Sequence, residues 1–292
     1  MTIAVTGATG HLGRLAVEDL LARGVPPADL MAVVRSPEKA ADLAERGVQV
    51  RRASYDEPET LATALAGVER LLLVSGSEVG RRLPQHRNVV EAARAAGVRL
   101  LAYTSLVRAD SSPMLLAAEH RATEQLIRES GIPFVFLRNS WYTENYTDQL
   151  ARMLEQGVIA GSAGEGRVSA ATRADFAAAA AAVLTADGHA NRVYELGGDE
   201  SFTVSELAAE ISRQSDTTVV YRDLPVEAYT EVLAGVGLPE PAARVLADSD
   251  AGIARGDLLV ESGDLRRLIG RPTTPLASVI ADALESLAPS AT

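Results

Sequence analysis

Short β-branched runs alternate with Ala/Leu-rich amphipathic stretches over the first half of the chain. Residues 2–6 read as a buried strand, and residues 11–23 follow with Leu12, Leu15, Ala16, Leu20 and Leu21 on one helical face. The pattern then predicts strands at 30–34, 48–51, 70–74, 98–104 and 133–137. Between them it predicts helices from Pro37 to about Arg46, then at 58–66, 84–96 and 115–130. Pro37 stands where a first helical turn tolerates proline, and Gly97 ends the helix before the fifth strand. Strands apolar on both faces belong in a parallel sheet covered by helices on both sides. With right-handed crossovers the expected fold is α/β, a Rossmann-like doubly wound parallel sheet.

After Arg138 the rhythm changes. A polar-aromatic stretch (139–146, NSWYTENY) leads into a helix to about Glu155, a Gly-rich loop at 161–166 and an Ala-rich helix at 173–186. Short strands are expected at 193–196 and 218–221, and amphipathic helices at 204–214, 225–236, 239–247 and 276–287. Residues 1–140 are therefore expected to form the cofactor-binding domain. Residues 141–292 are expected to form a smaller, mostly helical C-terminal α/β lobe for the substrate, with the chain free to cross between the two.

Composition narrows the chemistry. The 292 residues are 47% hydrophobic, enough for a sizeable core, and carry a net charge of −11. That charge disfavours nucleic acid and anionic membrane surfaces as partners. With no cysteine, disulfides, thiolate catalysis and Cys-ligated metals are excluded. The N-terminal MTIAVTGATG has no signal-peptide character, and the longest apolar run, 176–184, falls short of the roughly 20 residues of a membrane helix. A cytoplasmic protein is expected. No heptad seam or apolar stripe declares an interface, so monomer and homodimer both stay open. His86, His120 and His189 lack metal-ligand spacing and read as surface or helix-packing residues, and no metal is expected.

The sharpest motif is Gly7-Ala8-Thr9-Gly10-His11-Leu12-Gly13, which follows a strand and opens a helix at once. This is the context of a dinucleotide loop: Gly7 for the turn, Gly10 for approach of a pyrophosphate, Gly13 for close helix packing. An NAD site would place a carboxylate at the end of the second strand; here that position is Arg35, which suits a 2′-phosphate and predicts NADP(H). Lys39, one turn into the next helix, is in reach to add charge there but reads more simply as exposed. The small residues Ser75, Gly76 and Ser77 after strand four leave room for adenosine and ribose.

The 28 basic residues include one lysine, Lys39, so no tyrosine has a lysine four residues on. The Tyr-x-x-x-Lys acid/base pair usual in short-chain reductases is thus absent, which favours an acceptor that needs mainly a hydride, such as a quinone or a cationic dye. Five of the twelve aromatics fall between Phe134 and Tyr146. Trp141, Tyr142 and the amides around them suit a slot for a planar ring.

The segments GATGHLG, AVVRSPEKA, SEVG followed by PQHRNV, RNSWYTENY and RLIGRPTTPL resemble the NmrA-like, atypical short-chain dehydrogenase/reductases, and most nearly their flavin-free bacterial NADPH:quinone oxidoreductases. The likeness runs through nearly the whole chain. It implies NADPH in a cleft between a Rossmann domain and a smaller lobe, with Gly7, Ala8, Thr9, Gly10, His11 and Leu12 at the pyrophosphate and Arg35 at the 2′-phosphate. It places Ser75, Gly76 and Ser77 along the adenosine–ribose side, and Asn139, Tyr142 and Asn145 around nicotinamide and quinone, Tyr142 and Asn145 being the candidate catalytic residues. Gly76 and His11 depart from the serine and glutamine expected there. The rival readings are reduction of another planar electrophile, such as a triphenylmethane dye, and a non-catalytic NADP(H)-sensing regulator.

Overall fold

β1 (Ile3–Thr6) is four residues buried on both faces, and it stops at Gly7, whose φ of +60° suits glycine and few other residues. The turn delivers the chain into α1 (His11–Ala22), with Leu12, Ala16, Val17 and Leu20 buried. In the computed structural model, which describes residues 1–287, the unit then repeats. It continues as β2 (Leu30–Val34), α2 (Ala41–Glu45), β3 (Gln49–Arg52), α3 (Pro58–Ala64), β4 (Arg70–Leu73), α4 (Arg82–Ala95), β5 (Leu100–Leu106), α5 (Leu115–Ser130) and β6 (Phe134–Asn139). Next come α6 (Glu144–Thr147), α7 (Leu150–Gln156), β7 (Val158–Gly161), α8 (Arg173–Thr185), β8 (Arg192–Leu196) and α9 (Val204–Ser215). The described chain closes with β9 (Val220–Asp223), α10 (Val226–Gly235), α11 (Glu240–Ala254), α12 (Asp264–Ile269) and α13 (Leu276–Leu287).

Seven strands form one sheet in the order β3-β2-β1-β4-β5-β6-β8, each pair parallel. This is the doubly wound α/β architecture that the alternation predicts. Strand side chains sort by parity. Ile3, Val5, Ala32, Val34 and Leu72 meet α1, α8 and α12 on one face. Ala4, Met31, Val33, Leu71 and Leu73 meet α3, α4 and α5 on the other. The strand order reverses between β1 and β4, where diverging crossovers leave a crevice at the carboxyl ends.

The chain returns to this sheet after residue 140. Every residue from 176 to 184 in α8 is buried, and the helix lies between α1 and the strands β4, β5 and β6. β8 adds the seventh strand beside β6, pairing Asn139 with Leu196. The remaining elements form a second lobe around Leu150, Ile159, Leu207, Ile211, Ile253 and Ile280, with β7 and β9 as a parallel pair. Residues 288–292 of the expected second lobe lie outside the described residues.

Several element boundaries differ from the pattern. The helix expected from Pro37 is a 3-10 turn (Pro37–Ala40) followed by α2. α4 starts two residues before Pro84, which the first turn accommodates because its amides have no intrahelical acceptor. β5 runs on to Leu106 because Ser105 and Leu106 pair with Arg138 and Asn139. α11 continues to Ala254, through a polar stretch that masks its period, and α12 was not anticipated.

Candidate active site

The crevice between β1 and β4 holds a cavity of about 330 Å3. Its walls come from strand ends: Gly7, Thr9 and Gly10 after β1, Val33 and Arg35 at β2, and Val74, Ser75, Gly76 and Ser77 after β4. A Cβ on Gly13 would stand 2.3 Å from the Gly7 carbonyl oxygen, so only glycine lets α1 approach the turn this closely. The Ala8 amide donates to the Val33 carbonyl (3.4 Å) and the Gly10 amide to Gly7 (2.9 Å). The donors left for an anion are the Thr9 amide and the first-turn amides of α1, beginning with His11 and Leu12, at the positive end of the helix dipole.

Two cations line this cavity. The Arg35 side chain is 80% exposed, with Glu78 3.8 Å away. Lys39, read from sequence as merely exposed, is exposed and also lines the cavity. A helix terminus for a diphosphate, cations at and after the end of β2 where an NAD site carries its carboxylate, and a side-chain-free Gly76 together fit a dinucleotide bearing a 2′-phosphate.

The loop after β4 is held rigidly. The Val74 amide donates to Thr6 Oγ1 (3.1 Å), the Ser75 amide to Thr104 Oγ1 (2.8 Å) and the Gly76 amide to His86 Nε2 (3.0 Å). Arg82 Nε donates to the Gly76 carbonyl (2.8 Å), and its Nη1 is anchored on Glu119 (2.7 Å). Three consecutive amides are thus consumed by the protein, leaving the Ser75 and Ser77 side chains to meet a ligand. Burial, then the Arg82 charge, push His86 down to about 3, which keeps Nε2 an acceptor at neutral pH. His86 and His120 are buried beneath the sheet, packed against Tyr103.

The second group of candidates lies at the end of β6. Arg138 is fixed by Glu124 (2.8 and 2.9 Å) and Glu195 (2.8 Å). This holds the strand end from which Asn139 and Tyr142 project. Asn139 is buried, and its Oδ1 has no hydrogen-bond partner among the described residues. Tyr142 is half-buried against Phe176, with the Arg173 guanidinium over its ring at 5.2 Å. Burial raises its phenol above the ordinary value, with the Asn139 amide and the Arg173 charge pulling the other way. Arg173 also donates to Asn145 Oδ1 (3.3 Å), while Glu144 receives the Arg173 amide (2.8 Å). One arginine at the start of α8 therefore orients both Tyr142 and Asn145.

Asn145 lines a separate cavity of about 290 Å3 in the second lobe, with Trp141, Tyr146, Tyr229, Met153 and Asp250. The structure thus gathers Gly7, Thr9, Gly10, Arg35, Ser75, Gly76 and Ser77 around one cavity and places Asn145 on the other. Ala8 and Leu12 are core residues that line neither, and His11 is exposed at the helix start. Tyr142 and Asn139 sit at the strand end. Sequence reasoning missed Tyr55, Asp56 and Gln85 in the first cavity and Tyr229 and Asp250 in the second. Only the scarcity of aromatics could have flagged Tyr55 or Tyr229; a lone Asp inside a helix gives no signal.

A family model described as NAD(P)H-binding matches residues 7–187. The chain is 50% identical over 278 residues to Quinone oxidoreductase 2 of Escherichia coli, covering 95% of this chain and 97% of that protein. The crystal structure of the NADPH-dependent quinone oxidoreductase from E. coli complexed with NADPH superposes with a TM-score of 0.94 at 49% identity, covering 97% of this chain and 100% of that one. The Citrobacter sp. triphenylmethane reductase complexed with NADP(H) gives a TM-score of 0.91 at 42% identity, over 97% of this chain and 100% of the other.

Proposed function

The chain belongs to the NAD(P)H-binding, NmrA-like family, and on that premise we propose that it is an NADPH-dependent quinone oxidoreductase that works without flavin. The observation that carries this reading is the 50% identity, sustained over 95% of the chain, to the E. coli quinone oxidoreductase. Bound NADPH supplies the hydride that reduces the quinone. Everything else is done by the protein's own residues. In this reading the α1 amides and the helix dipole hold the diphosphate, and Arg35 and Lys39 take the 2′-phosphate. The clamped 74–76 loop presents Ser75 and Ser77 to the ribose without yielding. The buried Asn139 steadies Tyr142 through its side-chain amide, and Asn145 and Tyr142, set by Arg173, orient the acceptor. No described helix is long and apolar enough to cross a membrane, and the reading places the protein in the cytoplasm with a small-molecule partner.

The test mixes purified protein with NADPH or NADH and a panel of quinones and triphenylmethane dyes, following absorbance of the reduced nicotinamide. Quinone-dependent oxidation preferring NADPH is expected. Oxidation with dyes alone would move the substrate to the dye class. Tight NADP binding with no oxidation by any acceptor would make the protein a sensor and end the enzyme reading.

A further inference from the structure

Two residues in the wall of the cavity around Asn145, Tyr146 and Asp250, have no task in that scheme. The Tyr146 hydroxyl is buried and has no hydrogen-bond partner among the described residues, and Tyr146 itself is only 8% exposed. Asp250, from the last turns of α11, also lines this cavity, with Oδ2 receiving the Ser162 amide at 3.0 Å. A Cβ on Gly161 would stand 2.6 Å from that oxygen, so the backbone of β7 is cut back to admit the carboxyl. Trp141 and Tyr229 supply aromatic surface in the same wall. A planar, mostly apolar molecule with oxygen at its edge matches this lining.

We propose that a quinone acceptor occupies this cavity and that the carboxyl group of Asp250 donates the proton that completes the hydroquinone. The proposal rests on the quinone reductase reading. The segment 139–145 joins the end of β6 to the wall of this cavity, and in the proposal the nicotinamide end of the cofactor reaches the quinone along it; its hydride brings two electrons and one hydrogen to the quinone, leaving a hydroquinone monoanion. The Asp250 O–H bond breaks, its electron pair stays on the carboxylate, and a phenolic O–H bond forms. Water then restores the carboxyl proton. Tyr142 is a weaker candidate for this role because its burial raises its phenol further.

The surroundings of Asp250 favour the protonated form. Burial, with the Asp223 charge adding, raises its carboxyl to about 6, against the Ser162 amide, which lowers it. The titratable and charged groups facing it are Tyr146 from α6, Asp148, Arg152 from α7, Tyr221 and Asp223 from β9, and Tyr229 from α10. Burial and the Asp250 charge hold all three phenols up, so they stay neutral across the working range. An acid titrating near 6 is suited to proton transfer near neutrality.

The experiment compares wild type with Asp250→Asn and Asp250→Glu, using 1,4-naphthoquinone and NADPH. Wild-type kcat is expected to rise as pH falls through 6. In Asp250→Asn it should fall by about a hundredfold and lose that dependence, and Asp250→Glu should restore a pH-dependent rate. Two readouts need no turnover. Trp141, the one tryptophan, reports quinone binding by fluorescence quenching, with Kd in Asp250→Asn expected within threefold of wild type. The 13C resonance of the Asp250 carboxyl in wild type should titrate near 6. A kcat within threefold of wild type in Asp250→Asn, or a carboxyl midpoint below about 4.5, overturns the proposal. Should Asp250→Asn fail to fold, the carboxyl titration and the wild-type and Asp250→Glu profiles decide. Absence of any quinone turnover by wild type would instead sink the quinone reductase reading itself.

Discussion

In the proposed reading Arg35 and Lys39 share the recognition of one phosphate, and the exposure of Arg35 sets the size of its effect. Arg35 is well exposed and loosely engaged by Glu78, so part of its gain on binding is screened by water. Arg35→Ala should therefore raise KM for NADPH by about tenfold, the low end for a charge-assisted hydrogen bond, while KM for NADH and both kcat values hold. A loss of NADH turnover equal to that of NADPH would show that the guanidinium does not meet a 2′-phosphate. Gly13 acts at the same scale through shape alone. Gly13→Ala would drive a Cβ into the Gly7 carbonyl and should destabilise the apoprotein by about 2–3 kcal/mol, read as a lower midpoint in urea. Asp175 carries a lesson in reading charge. It stands in the first turn of α8, after the Thr172 cap, and is fully buried. There it also accepts the Thr274 amide (2.8 Å) and pairs with Arg271 (2.7 Å), tying the C-terminal segment to α8.

At the scale of elements, the loop after β4 shows why identity at a site is easier to read than support. Ser75, Gly76 and Ser77 were legible from their size and their place after a strand. That His86 and Arg82, from the next helix, grip both backbone groups of Gly76 was not, because no spacing rule links them to the loop. His86 Nε2 must stay unprotonated to accept from Gly76, and burial holds it down to about 3. His120 is lowered in the same way. In the unfolded chain both titrate near 6.5, so below that pH the unfolded state binds more protons and stability falls as pH drops. Asp250 works in the opposite direction: its raised carboxyl lets the folded state bind the extra proton between 3.8 and about 6, adding stability as pH falls through that window. Two lowered histidines outweigh one raised carboxyl. The apoprotein's Tm should drop between pH 6.5 and 4, with a shallower slope in His86→Leu and a steeper one in Asp250→Asn. His86→Leu should also raise KM for NADPH several-fold at neutral pH, because the loop loses an anchor beside the ribose site. An unchanged KM would mean the loop does not need it. The missed reach of α11 has a similar origin: Asp248, Ser249 and Asp250 hide the helical period, and the two carboxylates serve contacts made elsewhere in the fold, Asp248 with the Leu115 amide (2.7 Å) and Asp250 with the Ser162 amide (3.0 Å).

For the whole molecule, the main fact is that the sheet is not finished when the alternating pattern ends. α8 is apolar on every side and must be enclosed, and α1 with the sheet face provides the enclosure. β8 then caps β6, whose open edge would otherwise be a template for aggregation. A fragment comprising residues 1–140 lacks both, and should aggregate or show no cooperative unfolding transition; a soluble, cooperatively unfolding fragment would show that α8 and β8 are dispensable. The sequence by itself determined the doubly wound sheet, the glycine turn, the cation at the end of β2 and the absence of a Tyr–Lys pair. Each of these depends on neighbours in the chain: periodicity of 2 or 3.6, a turn that needs positive φ, a residue type at a strand end. Only the tertiary structure decided that Lys39 joins Arg35 in one wall, that α4 clamps Gly76, that α8 and β8 complete the first domain, and that Asp250 and Tyr146 share a cavity with Asn145. Those juxtapositions join residues as far as 155 positions apart in sequence, and what selects them is the burial of apolar faces over the whole chain, which no local pattern encodes.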